Sequence, residues 1–158
     1  MPKSKGVIDP SNLTLRIPRE LVSPNQWNGR HWRVKHRISQ EWEKEIAVAV
    51  LMAVGVTGRR VGLGAALEGF MGPRKATGYL APRMRVAVTR EVPSGRNFIR
   101  DDDNLRFCVK PLLDALKRQG YIRNDSRKWI DLPTPEQRIS PDGKHWTTVT
   151  ITGLEPNA

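Results

Sequence analysis

The sequence has very little cysteine and histidine and no long apolar run. Cys108 is the only cysteine in the 158 residues, so the chain forms no intramolecular disulfide, which suits a reducing cytosol. The three histidines show no zinc-like spacing with Cys108, which argues against a zinc site. No apolar run approaches the ~20 residues of a membrane span, and the start MPKSKGVIDP lacks the apolar segment of a signal peptide. We therefore expect a cytoplasmic protein without a membrane partner.

Acidic residues are also scarce relative to basic ones. The chain has 27 Lys and Arg residues against 16 Asp and Glu, a formal net charge of +11. The isoelectric point is near 10.5. Such a balance suits a polyanionic partner, of which nucleic acid is the usual one, although a merely soluble basic protein stays an alternative.

The length predicts a single domain over residues 1–158, because domains commonly run to about 100–200 residues. Residues 1–10 and 154–158 are expected to be frayed tails. Residues 55–83 are rich in Gly and basic side chains, and we interpret them as a loop region that is either a DNA-contacting segment or an insertion.

Alternating apolar residues predict a first strand around Leu13–Ile17 and a second from Met84 to about Val92. Apolar spacings of three and four predict a helix over residues 35–54. A short strand is expected at Trp129–Leu132, and a hairpin is expected to join residues 127–139 to 145–153. The fold class is therefore α+β, with a small mixed sheet of about four strands packed against two main helices.

A further helix is predicted from Leu105 to about Lys117, with Gly120 as its C-terminal cap. Its expected buried face consists of Leu105, Val109, Leu112, Leu113 and Leu116. Pro111 is awkward inside this helix, so an alternative start lies nearer Val109, with a looser turn before it.

Three consecutive carboxylates, Asp101, Asp102 and Asp103, stand out in this basic chain. Carboxylate oxygens are the ligands that Mg²⁺ prefers. If the segment is extended, Asp101 and Asp103 point to one face and Asp102 to the other, so two carboxylates would meet one ion. Two alternatives stay open: Asp103 or Asn104 caps the following helix, or the run is a solvated acidic turn.

The segment from Ser23 to Arg33 combines amide, aromatic and basic residues and is predicted to be a loop. Arg and Lys bind phosphate, and Trp either stacks on a base or packs as a plug over the core. We predict that six residues contact DNA, five from this segment and one from the helix after the acidic run: Asn25, Trp27, Arg30, Trp32, Arg33 and Arg106.

Three motifs together resemble one nuclease family. They are Arg100-Asp101-Asp102-Asp103-Asn104-Leu105, then Lys110-Pro111-Leu112-Leu113-Asp114-Ala115-Leu116, then Gly120-Tyr121-Ile122-Arg123-Asn124-Asp125-Ser126. This succession is similar to the RusA family of Holliday-junction resolvases. The resemblance spans roughly residues 12–153 and leaves the middle of the chain unmatched.

The resemblance implies a homodimeric α+β endonuclease that cuts four-way DNA junctions by paired symmetric nicks with Mg²⁺ or Mn²⁺. Asp101, Asp103 and Asp125 would be its metal-site carboxylates, and Lys110 its essential lysine. The spacing from Asn104 to Lys110 exceeds the family's by about three residues, so Arg106 is an alternative for the lysine's role. Family members often come from phages or prophages, which implies the cytoplasm of a bacterial or phage-infected cell. Nucleases of flaps or forks and a non-catalytic junction-binding module are the alternative functions.

Overall fold

The computed structural model describes residues 12–53 and 83–154. The expectations for residues 1–10, for residues 55–82 and for 155–158 lie outside these ranges. Arg83 and Leu154, expected in a loop and in a tail, are instead the first residue of one strand and the last of another. The strands are β1 (Asn12–Ile17), β2 (Arg83–Val92), β3 (Ile130–Asp131), β4 (Glu136–Ile139) and β5 (Trp146–Leu154). The helices are α1 (Pro24–Trp27), α2 (Trp32–Ala53), α3 (Asp102–Phe107) and α4 (Lys110–Arg118), with a 3₁₀ turn at Gly95–Asn97.

The described strands form one mixed sheet, which confirms the α+β prediction and adds one strand to the expected four. β5 is central: it pairs antiparallel with β1 on one side and with β2 on the other. Leu15 lies opposite Val149, and Val149 lies opposite Val88, so the buried alternate residues of three strands share one face. The period-two pattern of the sequence therefore becomes a continuous apolar surface.

The predicted hairpin between residues 127–139 and 145–153 is wrong. β3 and β4 both run parallel to β2, with Met84 opposite Ile130 at its start and Val92 opposite Ile139 at its end. Both edges of β5 are already occupied by β1 and β2, so β4 pairs with the free edge of β2. The turn after β4 carries the chain past the end of β2 to the start of β5.

Helix α2 begins at Trp32, earlier than predicted, and packs on β1 and α4. Its side chains Trp42, Ile46 and Val50 are almost completely buried, as the spacing of three and four predicts. Ala53, at the end of this stripe, is exposed. Helix α2 therefore acts as a scaffold that covers the apolar face of the sheet.

The helix predicted over residues 105–117 is divided into α3 and α4, with Cys108 and Val109 between them. Pro111 lies in the first turn of α4, where its missing N–H costs nothing because that N–H has no intrahelical acceptor. The looser turn considered before Val109 is thus a short helix. The predicted apolar face is confirmed in full, since Leu105, Val109, Leu112, Leu113 and Leu116 are all buried.

Helix α4 ends at Arg118 with Gln119 as its C-cap, and the predicted cap, Gly120, follows directly with a φ of 83° that a side chain would disfavour. The N–H of Tyr121 donates to the carbonyl of Leu116 at 2.9 Å across this turn. Cys108 is buried between α3 and α4, its thiol donates to the carbonyl of Leu105, and burial raises the pKa of that thiol to about 11. Cys108 is therefore a small core residue.

Candidate functional site

The acidic run forms the start of helix α3, not an extended segment, so the predicted alternation of Asp101 and Asp103 against Asp102 is wrong. Asp101 is the N-cap, and its Oδ1 accepts the backbone N–H of Asn104 at 2.8 Å. Asp102 and Asp103 occupy the first turn, where negative charge is favoured by the helix dipole. The cap is therefore Asp101 instead of the expected Asp103 or Asn104. All three aspartates are exposed to solvent, which removes the cost of placing them together.

Helix α4 begins with Lys110, whose ammonium group joins two carboxylates. Its Nζ lies 2.9 Å from Oδ1 of Asp114, one turn along the helix, and forms an ion pair with Oδ2 of Asp125. Lys117 lies 3.8 Å from the other oxygen of Asp125. The turn that follows Gly120 thus returns Asp125 to the first turn of α4.

These ion pairs set the protonation of both partners. The hydrogen bond from Lys110 is the main cause that holds the pKa of Asp125 below its ordinary value. Partial burial acts to lower the pKa of Lys110, but the hydrogen bonds to Asp125 and Asp114 outweigh it and raise that pKa. At neutral pH the lysine is therefore a cation and Asp125 a carboxylate.

A cleft of about 860 Å³ brings together Asp103, Lys110 and Asp125. Arg106, the alternative to Lys110, also lines this cleft, but of these two side chains only Lys110 forms an ion pair with a predicted carboxylate. Which of the two fills the role of the essential lysine remains a prediction. We call this space the acidic cleft, after Asp103 and Asp125.

Asp101 does not line the acidic cleft, because its side chain caps α3. Within residues 12–53 and 83–154, no three His, Cys, Asp or Glu side chains lie close enough to hold a metal ion. The donors in the cleft, Asp103 and Asp125, are oxygen ligands of the kind that Mg²⁺ and Mn²⁺ prefer, so their chemistry fits the predicted metal. The set of three carboxylates remains a prediction.

Sequence reasoning missed several residues of the acidic cleft. Arg83 and Arg127 add positive charge, and Asp131 adds a third carboxylate that pairs with Arg85 at 3.3 Å. Asp131 alternates with the buried Ile130 in β3, and this period-two pattern is the one sequence signal that could have placed it at the surface.

The segment from Ser23 to Arg33 is only partly a loop, since it contains α1 and the first two residues of α2. Asn25 and Arg30 are exposed, and Nε of Arg30 donates to the carbonyl of Gln26 at 2.6 Å. The Arg33 guanidinium lies 5.5 Å from the centre of the Trp32 ring. These side chains lie at the surface, where the predicted phosphate contacts would have to form.

Neither tryptophan of this segment is a fully buried plug. The side chain of Trp32 is 63% exposed, and Trp27 is half-buried. Both line a second cleft of about 390 Å³, which we call the aromatic cleft. Lys110 lines this cleft as well, so the same lysine borders both.

No helix in the described ranges is long and apolar enough to cross a membrane. Neither a scan against models of known protein families nor a search of curated proteins gives a match for this chain. A functional assignment must therefore come from the chemistry of the two clefts and from the charge of the chain.

Proposed function

We propose that this protein is a metal-dependent endodeoxyribonuclease that acts on branched DNA, with the four-way Holliday junction as its first candidate substrate. The observation that carries the proposal is the meeting of Asp103, Lys110 and Asp125 in one cleft of a chain with a net charge of +11. Two carboxylates beside a lysine suit phosphodiester hydrolysis, and the positive charge suits a polyanionic substrate.

Asp103 and Asp125 would hold Mg²⁺ or Mn²⁺ in the acidic cleft. When bound, the metal supplies a water of lowered pKa and neutralises charge on the reacting phosphate. The lysine keeps Asp125 ionised, and therefore available as a ligand, by holding its pKa low. Asp101, which lies outside the cleft lining, would contribute mainly by fixing the start of α3 and with it the position of Asp103.

Lys110 has a second role in this proposal. Lys110 lines the acidic cleft together with Asp103 and Asp125, and its ammonium group pairs with Asp125. A fixed cation at that position stabilises the negative charge that develops on the phosphoryl oxygens during hydrolysis. Arg83, Arg106 and Arg127 border the same cleft and would bind neighbouring phosphates, so affinity should fall steeply as salt rises.

Paired symmetric nicks need two sites related by a two-fold axis, so a homodimer is part of the proposal. The family resemblance adds the setting: the cytoplasm of a bacterial or phage-infected cell, with a role in DNA recombination and repair. A nuclease of flaps or replication forks would use the same cleft and differ only in how the arms of the DNA are held.

One observation favours a second candidate, a junction-binding module without catalysis. Asp101 has a structural role as a helix cap, and Asp125 is neutralised by Lys110 and Lys117. Both carboxylates therefore have a reason to be present that does not require a metal. Binding without cutting in any metal would support this candidate.

The test compares cleavage of a synthetic four-way junction with cleavage of linear duplex in Mg²⁺, Mn²⁺ or EDTA. Wild type should make paired nicks only with metal, and Asp103→Asn combined with Asp125→Asn should lower the rate by about 100-fold or more. Asp102→Asn is the matched control, since Asp102 is exposed in the same helical turn but does not line the acidic cleft. Cleavage that survives in the double variant refutes the proposal.

Asp101→Asn separates capping from metal binding, because Asn caps helices about as well as Asp does. If Asp101 acts only as a cap, this variant should keep the wild-type rate. If Asp101 is a metal ligand, as the family resemblance implies, the cleavage rate of Asp101→Asn should fall as the rate of the Asp103→Asn and Asp125→Asn double variant does.

A further inference from the structure

The aromatic cleft shares Lys110 with the acidic cleft. One wall comes from Trp27 in α1 and from Trp32, Lys35 and His36 in the first turns of α2. The opposite wall comes from the exposed side of α4, with Lys110 and Arg118. Its volume of about 390 Å³ falls within the range of ~300–1,000 Å³ that is usual for small-molecule sites.

The apolar part of this cleft is aromatic and open. Trp32 is 63% exposed at the beginning of a helix, although burial of an indole is strongly favourable. The indole N–H of Trp27 is buried and has no hydrogen-bond acceptor among the described residues. A ligand with a flat ring, as every nucleobase has, would cover the exposed surface of Trp32, whereas the buried N–H of Trp27 lies out of its reach.

The polar part of the cleft carries three cations, Lys35, Lys110 and Arg118, and one carboxylate, Asp114, which pairs with Lys110. Lys35 lies with its Nζ 5.8 Å from the centre of the Trp27 ring, and no carboxylate among the described residues pairs with it. Arg118, on the facing wall, is held by Ser39 and by Glu43 at 3.2 Å. A flexible cation next to an aromatic face, with an anchored cation opposite, is suited to a base that carries a phosphate on either side.

We propose that the aromatic cleft is a subsite for one unpaired nucleobase, which belongs to a nucleotide next to the phosphate held at Lys110. The inference rests on the proposed function, because Lys110 borders both clefts and so connects the cutting site to the base subsite. A base within duplex DNA is stacked and paired and would have to leave the helix to enter. The subsite therefore favours branched DNA in which a nucleotide at the branch point is unpaired or is easily extruded from its pair, as at the strained crossover of a four-way junction.

The experiment places an abasic nucleotide in turn at each position beside the branch point. Binding of each DNA is then measured in Ca²⁺ for wild type, Trp32→Ala, Trp32→Phe and Met52→Ala. Met52 is the matched control, because it is an exposed apolar residue of the same helix, 69% exposed, outside the cleft. Trp32 is mainly exposed, so its truncation should leave the fold intact, which circular dichroism checks.

Trp32→Ala should weaken binding of intact branched DNA by roughly 5- to 100-fold, while Trp32→Phe should keep most of the affinity. One abasic position should weaken wild type to a similar extent and should add no further loss to Trp32→Ala, because both changes remove the same stacking contact. Losses that add at every position, or an effect of Trp32→Ala no larger than that of Met52→Ala, overturn the subsite.

The two proposals can fail separately. Binding that depends on Trp32 and on one base, without any metal-dependent cutting, supports the subsite and refutes the nuclease. Cutting that requires Asp103 and Asp125 but is unaffected by Trp32→Ala supports the nuclease and refutes the subsite.

Discussion

Replacing Lys110 with Ala should greatly slow DNA cleavage but destabilise the fold only slightly. The side chain is 43% exposed, and each of its two ion pairs is then worth only about 0.2–1 kcal/mol. Lys117 remains 3.8 Å from Asp125 and keeps a cation next to that carboxylate. We expect the free energy of unfolding to fall by about 1 kcal/mol, or ~2–4 °C in Tm for a domain of this size.

The effect on the reaction should be much larger, because a fixed cation acts where negative charge develops. Loss of one such group commonly costs about 100- to 1,000-fold in rate, equivalent to ~2.7–4 kcal/mol. The assay measures the initial rate of nicking of a four-way junction at saturating DNA, together with thermal unfolding of the same preparation. The difference between the two free-energy changes isolates the role of Lys110 in the reaction.

Lys117→Ala is the control, since it also removes a cation near Asp125 but lines neither cleft. It should change both the rate and Tm only slightly. If Lys110→Ala cuts at the wild-type rate, or if Lys117→Ala slows cutting equally, the assignment of the lysine is refuted.

Two further predictions concern groups whose partners the structure defines. Arg90 is 2% exposed and donates to the carbonyl of Leu21 at 2.7 Å and to Glu20 at 2.9 Å. Replacing it with Met should therefore lower the free energy of unfolding, measured by urea denaturation, by about 3–5 kcal/mol. An unchanged denaturation midpoint would contradict this. Lys110 depresses the pKa of Asp125 in the folded state, so the contribution of this carboxylate to stability is complete above the unfolded pKa of ~3.9 and is lost as pH falls through the lower folded pKa. The difference in free energy of unfolding between wild type and Asp125→Asn should therefore be constant from about pH 5 to 7 and decrease below about pH 4; a difference that stays constant down to about pH 2 would refute the pairing.

Local periodicity was sufficient to predict the parts of the fold that form one continuous apolar face. The alternation in β1 and β2 and the three-and-four spacing in α2 each depend on burial against a single surface. The end of α4 just before Gly120 was predictable for a similar local reason, because a positive φ favours glycine. These features need no knowledge of distant partners.

The acidic run could not be placed from spacing alone. Three consecutive aspartates are compatible with an extended segment and with the first turn of a helix. For the aspartate side chains, these two conformations differ in which backbone N–H groups need an acceptor. Asp101 caps α3 because the helix begins at Asp102, three residues before the predicted start, and the first N–H groups of that turn need an acceptor. The division of the predicted helix into α3 and α4 follows from the position of Pro111, which is preferred in a first turn.

Strand partners and the cleft walls depend on contacts across the chain. The turn after β4 would suit a hairpin, yet both edges of β5 are used by strands from other parts of the sequence. In the same way, Arg83 and Asp131 reach the acidic cleft only because β2 and β3 lie side by side. No local pattern contains that information.

The pairing of β1 with β5 has a consequence for how the protein acquires its fold. Leu15 meets Val149, so the central strand of the sheet has its outer neighbour 134 positions away along the chain. Such distant pairings raise the contact order and slow folding, because a large loop must close before any of its contacts can form. During translation, β1 is synthesised early but has no partner until β5 has left the ribosome. The sheet is therefore completed last, and with it the apolar face that α2 covers.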